Sequence, residues 1–216
     1  MEEDLGKVNS AARPIGAEGV IKFTVGGHST AGALPEANWA ELERWRSELR
    51  SRGLVGRDAA TGLGYGNLSV RRAAGGFVIT GSQTGGLERL DGRHYSLVEA
   101  WDLASNRVER CGPALPSSES LSHAALYAAD PRIGAVVHVH SASLWRRMLD
   151  AGELSAGADL PYGSVALYTR LGELARGREA LPFIVVLAGH EDGVFAAGRA
   201  LDETCAALLA RVERRD

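Results

Sequence analysis

Residues 135–143 read AVVHVHSAS, and this stretch places two histidines at the end of an apolar run. In an extended strand alternate side chains point to the same face, so His138 and His140 share one face and Val139 takes the other. The two imidazoles are then about 7 Å apart at their Cα atoms, close enough to converge on one metal ion. They are also compatible with a solvated sheet face. A short His-x-His pattern indicates a metal only together with a third ligand and a cleft.

The composition is that of an ordinary globular protein. With 216 residues, 45% hydrophobic and 24% charged, the chain is long enough for one well-buried domain and short for two. A net charge of −3 gives no basic surface for a phosphate backbone, so we expect no nucleic-acid partner. The start MEEDLGKVNS is acidic and unlike a signal peptide, and no apolar run reaches about 18 residues. We therefore expect a cytoplasmic protein without membrane contact.

Two segments carry the apolar spacing and the end signals of helices. The first covers residues 35–52, with acidic residues early and arginines late. The second, PSSESLSHAALYAADP (116–131), leads directly into the histidine strand, and its start predicts Ser117 or Ser118 as the N-cap. Strands and helices thus alternate along the chain, which predicts the α/β class.

Near the C-terminus two apolar runs follow one another with only a tight link between them. FIVVLAGH (183–190) and GVFAAG (193–198) are predicted to be adjacent strands, and so short a link requires an antiparallel pair. The sheet is therefore expected to be mixed. At the other end, residues 1–35 read as an irregular arm in which VIKF (20–23) is a candidate strand before a Gly-rich loop.

A third histidine ends the first of these C-terminal strands. His190 follows an apolar run just as His140 does, so three neutral nitrogen ligands can come from two strand ends. Three protein ligands with one open position are typical of a catalytic zinc site. The alternative is that His190 only caps a turn, with its ring bonded to a nearby carbonyl.

Small polar residues near the strand ends are candidates for binding an anion. Ser117 and Ser118 start a helix, where hydroxyls and free N–H groups can cap the helix or hold an anion. Glu119 follows them and is expected in the first turn, where the helix dipole favours its ionised form. Asn67 and the loop QTGG (83–86) offer further donors. Each of these is a common turn or cap residue, and the prediction of an anion site depends on whether the loops meet.

The ordered motifs of the chain resemble those of the class II aldolase/adducin domain family from about residue 36 to the C-terminus. The motifs are GYGNLSVR, FVITGSQTGG, PSSES, HAALY, GAVVHVHS and AGHEDGV. The resemblance implies a three-layer α/β/α sandwich with a mixed, largely antiparallel central sheet over residues 36–216. It also implies a homotetramer with the active site at a subunit boundary.

The same resemblance assigns roles to the candidate residues. It implies that His138, His140 and His190 bind one divalent metal per subunit and that Glu119 is the acid/base residue. It further implies a substrate phosphate site made by Asn67, Thr84, Gly85, Ser117 and Ser118. Three imidazoles suit Zn²⁺, with Mn²⁺, Co²⁺ and Fe²⁺ as alternatives.

The resulting hypothesis is a metal-dependent aldol or retro-aldol reaction on a small hydroxy-carbonyl substrate of sugar-phosphate type, through a metal-stabilised enediolate. The chain also departs from the sugar-phosphate aldolases it resembles. The loop TGSQTGG is longer, so Thr80 and Gly81 compete with Thr84 and Gly85 for the phosphate role. The aldolases use a C-terminal tyrosine as proton donor, which this chain lacks.

The proton donor of this hypothesis and two alternative functions stay open. Tyr162 or Tyr65 is a candidate to replace the missing tyrosine. A sugar-phosphate 4-epimerase is the first alternative function, although the epimerases of the family carry Asp where this chain has Glu119. A non-catalytic interaction domain, as in adducin, is the second. Retention of all three histidines together with Glu119 argues against a scaffold.

Overall fold

The histidine strand lies inside a sheet of eight strands. The computed structural model describes residues 19–30 and 32–214. The strands are β1 Thr24–His28, β2 Gly56–Arg57, β3 Gly64–Tyr65, β4 Asn67–Arg71, β5 Phe77–Thr80, β6 Tyr95–Asp102, β7 Arg107–Cys111, β8 Ala135–His140, β9 Phe183–Val186 and β10 Gly193–Gly198. The α-helices are α1 Ala40–Ser51, α2 Ser120–Ala129, α3 Ala142–Asp150, α4 Val165–Ala175 and α5 Leu201–Glu213.

The sheet is mixed and largely antiparallel, as predicted. Its strand order is β1-β7-β6-β5-β4-β8-β10-β9, and β2 and β3 form a separate pair. The pairing of β1 with β7 is parallel, whereas the other described ladders of this sheet are antiparallel. The predicted antiparallel pair is β9 with β10. The histidine strand β8 is held on both sides, between β4 and β10.

Helices cover both faces of this sheet and complete the three-layer sandwich. On β8, Val136 packs in the cluster that contains buried residues of α2 and α4. Val137 and Val139 point to the other face, where they pack in the cluster that contains buried residues of α1, α3 and α5. Alternate side chains of a strand face opposite sides, so His138 and His140 lie on the α2/α4 face.

Helix α1 confirms the first predicted helix, although it begins five residues later than expected. Residues 36–38 form a 3₁₀ turn, and the α-helix starts at Ala40. The acidic residues in its first turn and Arg50 in its last turn interact favourably with the helix dipole. Leu42 and Leu49 are buried against the sheet.

Helix α2 begins later than the sequence predicts. Its first residue is Ser120, and Glu119 occupies the N-cap position, so Ser117 and Ser118 are not the caps. The backbone explains the difference, because the Ser120 N–H donates to the Ser117 carbonyl at 3.0 Å and closes a turn before the helix. Glu119 therefore precedes the first helical turn and is not part of it.

Two strand predictions are wrong at their ends. Strand β9 stops at Val186, so His190 lies in the turn before β10 and not at a strand end. In the arm, the strand begins at Thr24, after VIKF, because the Gly-rich segment pairs with β7. A Cβ atom at Gly27 would lie 2.1 Å from the Arg110 carbonyl oxygen, so glycine permits this close pairing. The domain boundary at residue 36 stays a prediction.

Among the described residues, no helix has both the length and the apolar character needed to cross a membrane. The acidic segment at residues 1–10 lies outside the described residues.

Candidate active site

The structure brings the three predicted histidines together on the α2/α4 face of the sheet. One ring nitrogen of each residue lies within 4.8 Å of the others. The ring centroids of His138 and His140 are 5.1 Å apart, and that of His190 is 5.4 and 4.9 Å from them respectively. His138 and His190 are buried, and His140 is half-buried. The group can therefore hold one divalent metal ion.

His190 reaches the pair through the turn that precedes β10. Strand β10 is antiparallel to β8 and places Gly193 directly opposite His140. The Gly193 N–H donates to the His190 carbonyl at 3.0 Å, which folds the chain back over the end of β8. A Cβ atom at Gly193 would lie 3.2 Å from the His190 ring and 3.3 Å from the His138 ring. Glycine thus leaves room for both imidazoles.

The donor set fits a metal. The Nδ1 of His138 donates to the Val194 carbonyl at 3.1 Å, since a carbonyl oxygen only accepts, and this fixes the tautomer. The Nε2 lone pair then faces Glu119 Oε2 at 3.0 Å, and two electron-rich atoms this close require a proton or a cation nearby.

Glu119 is the buried carboxylate beside the three histidines. Its Oε1 lies 3.9 Å from His190 Nδ1, and its Oε2 accepts from Asn67 Nδ2 at 3.0 Å. Asn67 is directly opposite His138 in the β4–β8 ladder, so strand register puts its amide beside the histidines. The N-cap position of α2 aims Glu119 at the same point from the helix layer.

The three small-polar loops predicted to be anion sites do meet. Gly81 forms a bridge with Pro116, which places the loop after β5 beside the segment before α2. Gln83 Oε1 accepts from the Gly64 N–H at 3.0 Å, which ties the same loop to the β3–β4 region. A Cβ atom at Gly85 would lie 2.9 Å from the Tyr65 carbonyl oxygen. The loops therefore surround one region next to Asn67 and Glu119.

Within these loops several predicted donors already have partners. Thr84 Oγ1 donates to the Gly81 carbonyl at 2.7 Å, and Ser118 Oγ accepts from the Tyr162 hydroxyl. The competing residue Thr80 uses its Oγ1 to accept from the Leu68 N–H at 3.2 Å. Ser117 is buried beside them. A phosphate role for Thr84, Gly85, Ser117 and Ser118 stays a prediction.

A cleft of about 860 Å³ opens in front of the histidines. Its walls include His140 and His190, together with Lys22, Tyr65, Tyr162 and Glu191. His138 and Glu119 are buried, and neither is among the residues that line the cleft. A small molecule in the cleft would meet the exposed side of the histidine group.

Tyr162 and Tyr65, the two alternatives from the sequence, both pack on a histidine ring and differ in the partner of the hydroxyl. The Tyr65 ring centroid is 5.3 Å from that of His140. The Tyr162 ring packs 5.0 Å from the His190 ring. Its hydroxyl bonds to Ser118, while the Tyr65 hydroxyl donates to the Gly53 carbonyl at 3.2 Å. Sequence reasoning missed Lys22, whose ammonium donates to the Tyr162 carbonyl at 2.6 Å, because that contact spans most of the chain.

His123 follows Glu119 by four residues, and its hydrogen-bond partners lie on β4. Its Nε2 lies 2.6 Å from Asn67 Oδ1, and its Nδ1 lies 2.7 Å from Ser69 Oγ. Burial lowers the pKa of His123 from 6.5 to about 3, Glu119 opposes this shift, and the nearby His138 adds to it. The imidazole is therefore neutral at physiological pH.

The lowered pKa of His123 predicts acid sensitivity. The unfolded chain takes up the proton near pH 6.5 and the folded chain only near pH 3, so the free energy of unfolding decreases as pH falls through this window. The loss should be about 1.4 kcal/mol per pH unit, or roughly 2 kcal/mol at pH 5. Urea unfolding at pH 7, 6 and 5 measures it. His123→Gln should have a shallower pH dependence, and identical slopes for the two proteins would contradict the prediction.

Comparison with known proteins places this arrangement in a family. The model of the class II aldolase and adducin N-terminal domain matches residues 51–214. This match covers most of the chain, and the protein therefore belongs to the class II aldolase/adducin family. A comparison with curated protein sequences gives no match.

Solved structures of aldolases share the fold. YgbL from Escherichia coli, a candidate aldolase/epimerase/decarboxylase, is 25% identical, with a TM-score of 0.60 over 81% of this chain and 84% of its own. An L-fuculose 1-phosphate aldolase is 22% identical, with a TM-score of 0.61 and 85% of both chains covered. The L-fuculose-1-phosphate aldolase of Thermus thermophilus is 23% identical, with a TM-score of 0.54 over 82% of this chain and 90% of its own.

Proposed function

We propose that this protein is a divalent-metal-dependent aldolase that cleaves or forms a carbon–carbon bond in a small hydroxy-carbonyl compound of sugar-phosphate type. The observation that carries the proposal is the buried carboxylate of Glu119, 3.0 Å from His138 Nε2 and 3.9 Å from His190 Nδ1. A base this close to His138 and His190 lies beside the position where a metal would hold a carbonyl group, so it is suited to move a proton at the neighbouring carbon atom.

The metal, when bound by His138, His140 and His190, supplies Lewis-acid stabilisation for negative charge on substrate oxygens. Glu119 moves the proton, taking it from the carbon next to the carbonyl in the aldol direction and returning it in the retro-aldol direction. The carboxylate is buried and held by Asn67 next to the histidines that would bind the metal. Zinc is the metal that we favour, since three imidazoles suit it.

The loops around Asn67 supply the binding site for the anionic end of the substrate. Thr84, Gly85, Ser117 and Ser118 belong to loops that meet beside Glu119, and Asn67 is the first residue of β4 next to them. The hydroxyls of Thr84 and Ser118 would give up their present hydrogen bonds and donate to the phosphate oxygens. An anion there would sit close to the start of α2, where the helix dipole is favourable.

Tyr162 is our candidate for the residue that donates a proton to the oxygen of the incoming carbonyl fragment in the aldol direction and takes it back when that fragment departs in the retro-aldol direction. Its ring contacts His190, and its hydroxyl lies against Ser118 beside the anion loops. Both hydroxyls are bonded, and Tyr162 is favoured because its partner Ser118 belongs to the anion loops, whereas the partner of the Tyr65 hydroxyl is the Gly53 carbonyl. We extend the proposal to a homotetramer, on the strength of the family resemblance, and size-exclusion chromatography with light scattering would measure the assembly.

The proposed function is tested by product analysis. Chelator-treated protein, reloaded separately with Zn²⁺, Mn²⁺, Co²⁺ or Fe²⁺, is incubated with ketose 1-phosphates and with their unphosphorylated forms. We expect two smaller carbonyl compounds by mass spectrometry from a phosphorylated substrate and, as an order of magnitude, about a hundredfold less from the chelated protein. A product of unchanged mass and altered configuration would indicate the epimerase instead. Turnover that persists without metal, or a purified protein that binds no metal, would overturn the proposal.

A further inference from the structure

Four buried side chains form a series of hydrogen bonds behind Glu119. The Tyr127 hydroxyl is 2.7 Å from Ser69 Oγ, which is 2.7 Å from His123 Nδ1. His123 Nε2 is 2.6 Å from Asn67 Oδ1, and Asn67 Nδ2 is 3.0 Å from Glu119 Oε2. All five residues are at most 6% exposed, so water does not compete for these bonds.

The series follows from the match between a strand and a helix. Asn67 and Ser69 are two residues apart on β4 and share one face. Glu119 at the N-cap of α2, and His123 and Tyr127 within the helix, are spaced four apart and share one stripe. Two residues advance about 6.6 Å along a strand, and four residues advance about 6 Å along a helix. The strand side chains and the helix side chains therefore stay level with one another.

The direction of each bond is fixed from the carboxylate end. An ionised carboxylate only accepts, so the amide NH₂ of Asn67 faces Glu119 and its Oδ1 faces His123. His123 must then carry its hydrogen on Nε2, and its neutral Nδ1 accepts from the Ser69 hydroxyl. Ser69 in turn accepts from the Tyr127 hydroxyl. One reversed bond would place two acceptors face to face.

We propose that His123 is a positioning residue: backed by Ser69 and Tyr127, it holds the Asn67 amide in the one orientation that donates to Glu119 and so aims the carboxylate at the histidine group. The inference rests on the proposed function insofar as it treats Glu119 as the acid/base residue. It also limits the hydrogen bonds that Asn67 can donate to a substrate, because only the second hydrogen of its NH₂ group is left for one.

A simpler interpretation is that these groups only satisfy one another in the core. Buried polar groups are normally hydrogen-bonded, and their loss lowers stability. The two interpretations differ in one respect. If the role is only structural, variants that remain folded keep their turnover number, whereas a positioning role lowers the turnover number and leaves metal binding intact.

Two substitutions at position 123 separate these interpretations. His123→Gln keeps an N–H donor close to the place of Nε2, while His123→Leu fills the space without a donor. At a temperature where both are folded, we expect metal content equal to that of the unchanged protein. We expect kcat about 10- to 100-fold lower in His123→Leu, substantially recovered in His123→Gln, with KM little changed. Equal kcat values in the two variants would overturn the proposal.

A second measurement does not depend on turnover. Nitrogen NMR of the resting protein should show His123 as the neutral Nε2–H tautomer at about pH 6, and the Nδ1–H tautomer or an imidazolium would overturn the proposal. Ser69→Ala removes only the hydroxyl and should keep the Nε2–H tautomer, because Asn67 Oδ1 still accepts from it, and a change to the Nδ1–H tautomer in this variant would overturn the bond directions set from the carboxylate end. This variant keeps the test available if His123→Leu does not fold.

Hydrogen exchange at the side-chain amide of Asn67 distinguishes a failure of this proposal from a failure of the proposed function. Its hydrogens should exchange slowly in the unchanged protein and in His123→Gln, and about tenfold faster or more in His123→Leu. If no hydroxy-carbonyl substrate is turned over but this difference is seen, the proposed function fails and the positioning of Asn67 stands. Equal exchange in all three proteins overturns the positioning.

Discussion

His190→Ala should lose at least about 100-fold in metal affinity and all measurable metal-dependent turnover. Zinc sites with four ligands bind with about 10–16 kcal/mol, so one ligand is worth about 3 kcal/mol, which corresponds to a loss of that size. His190 lies in a turn, whereas His138 is fully buried in the central strand β8, so the turn residue is removed at lower risk to the fold. Metal content after dialysis and competition with a chelator measure the affinity.

His28→Ala is the matched control for this experiment. His28 is exposed on the edge strand β1 and does not belong to the three-histidine group. We expect its metal content and turnover to equal those of the unchanged protein. Full metal occupancy in His190→Ala under the same dialysis would show that the ion is held elsewhere, and the assignment of the metal site would then be wrong.

Glu119→Gln should keep its metal and lose about 10²- to 10⁴-fold in kcat, the range that general acid/base catalysis contributes. Glutamine has nearly the same shape and can still accept from Asn67 through its carbonyl oxygen, so the packing is preserved. It cannot take up and release the proton. Metal analysis and steady-state kinetics on the same preparation separate the two properties.

Glu191→Gln provides the control for charge near the cleft. Glu191 lines the cleft next to His190 and is exposed, whereas Glu119 is buried among the histidines. We expect the turnover of Glu191→Gln to stay within about threefold of the unchanged protein, as is usual for surface substitutions. If Glu119→Gln were as active as Glu191→Gln, the acid/base role would have to be given to another residue.

The elements with long periodic patterns were predictable from the sequence. Helix α1, the histidine strand β8 and the antiparallel pair of β9 and β10 follow from apolar spacing and tight links. Element ends were less predictable. Strand β9 ends at Val186 because backbone bonds from Leu187 onward close turns, and α2 begins at Ser120 because the preceding residues form a turn of their own.

The candidate site was predictable in its chemistry but not in its connections. The three histidines and Glu119 were identifiable as residue types that bind metals and move protons. The bonds from His123 to Asn67 and Ser69 were not, because they join residues more than fifty positions apart on a strand and a helix. The spacing of Asn67 and Ser69 by two and of His123 and Tyr127 by four is the signal that could have suggested them.

Local sequence was sufficient to establish that His138 and His140 share a face, since strand periodicity is a property of the backbone at that point of the chain. It was also sufficient to identify a further histidine after the next apolar run. Packing of the whole chain was needed for His190 to complete the group, for Glu119 to approach His138 within 3.0 Å, and for His123 to support Asn67. These distances depend on which strands are neighbours and how α2 lies across them, and sheet order and helix packing are set by burial of the entire core and not by any single segment.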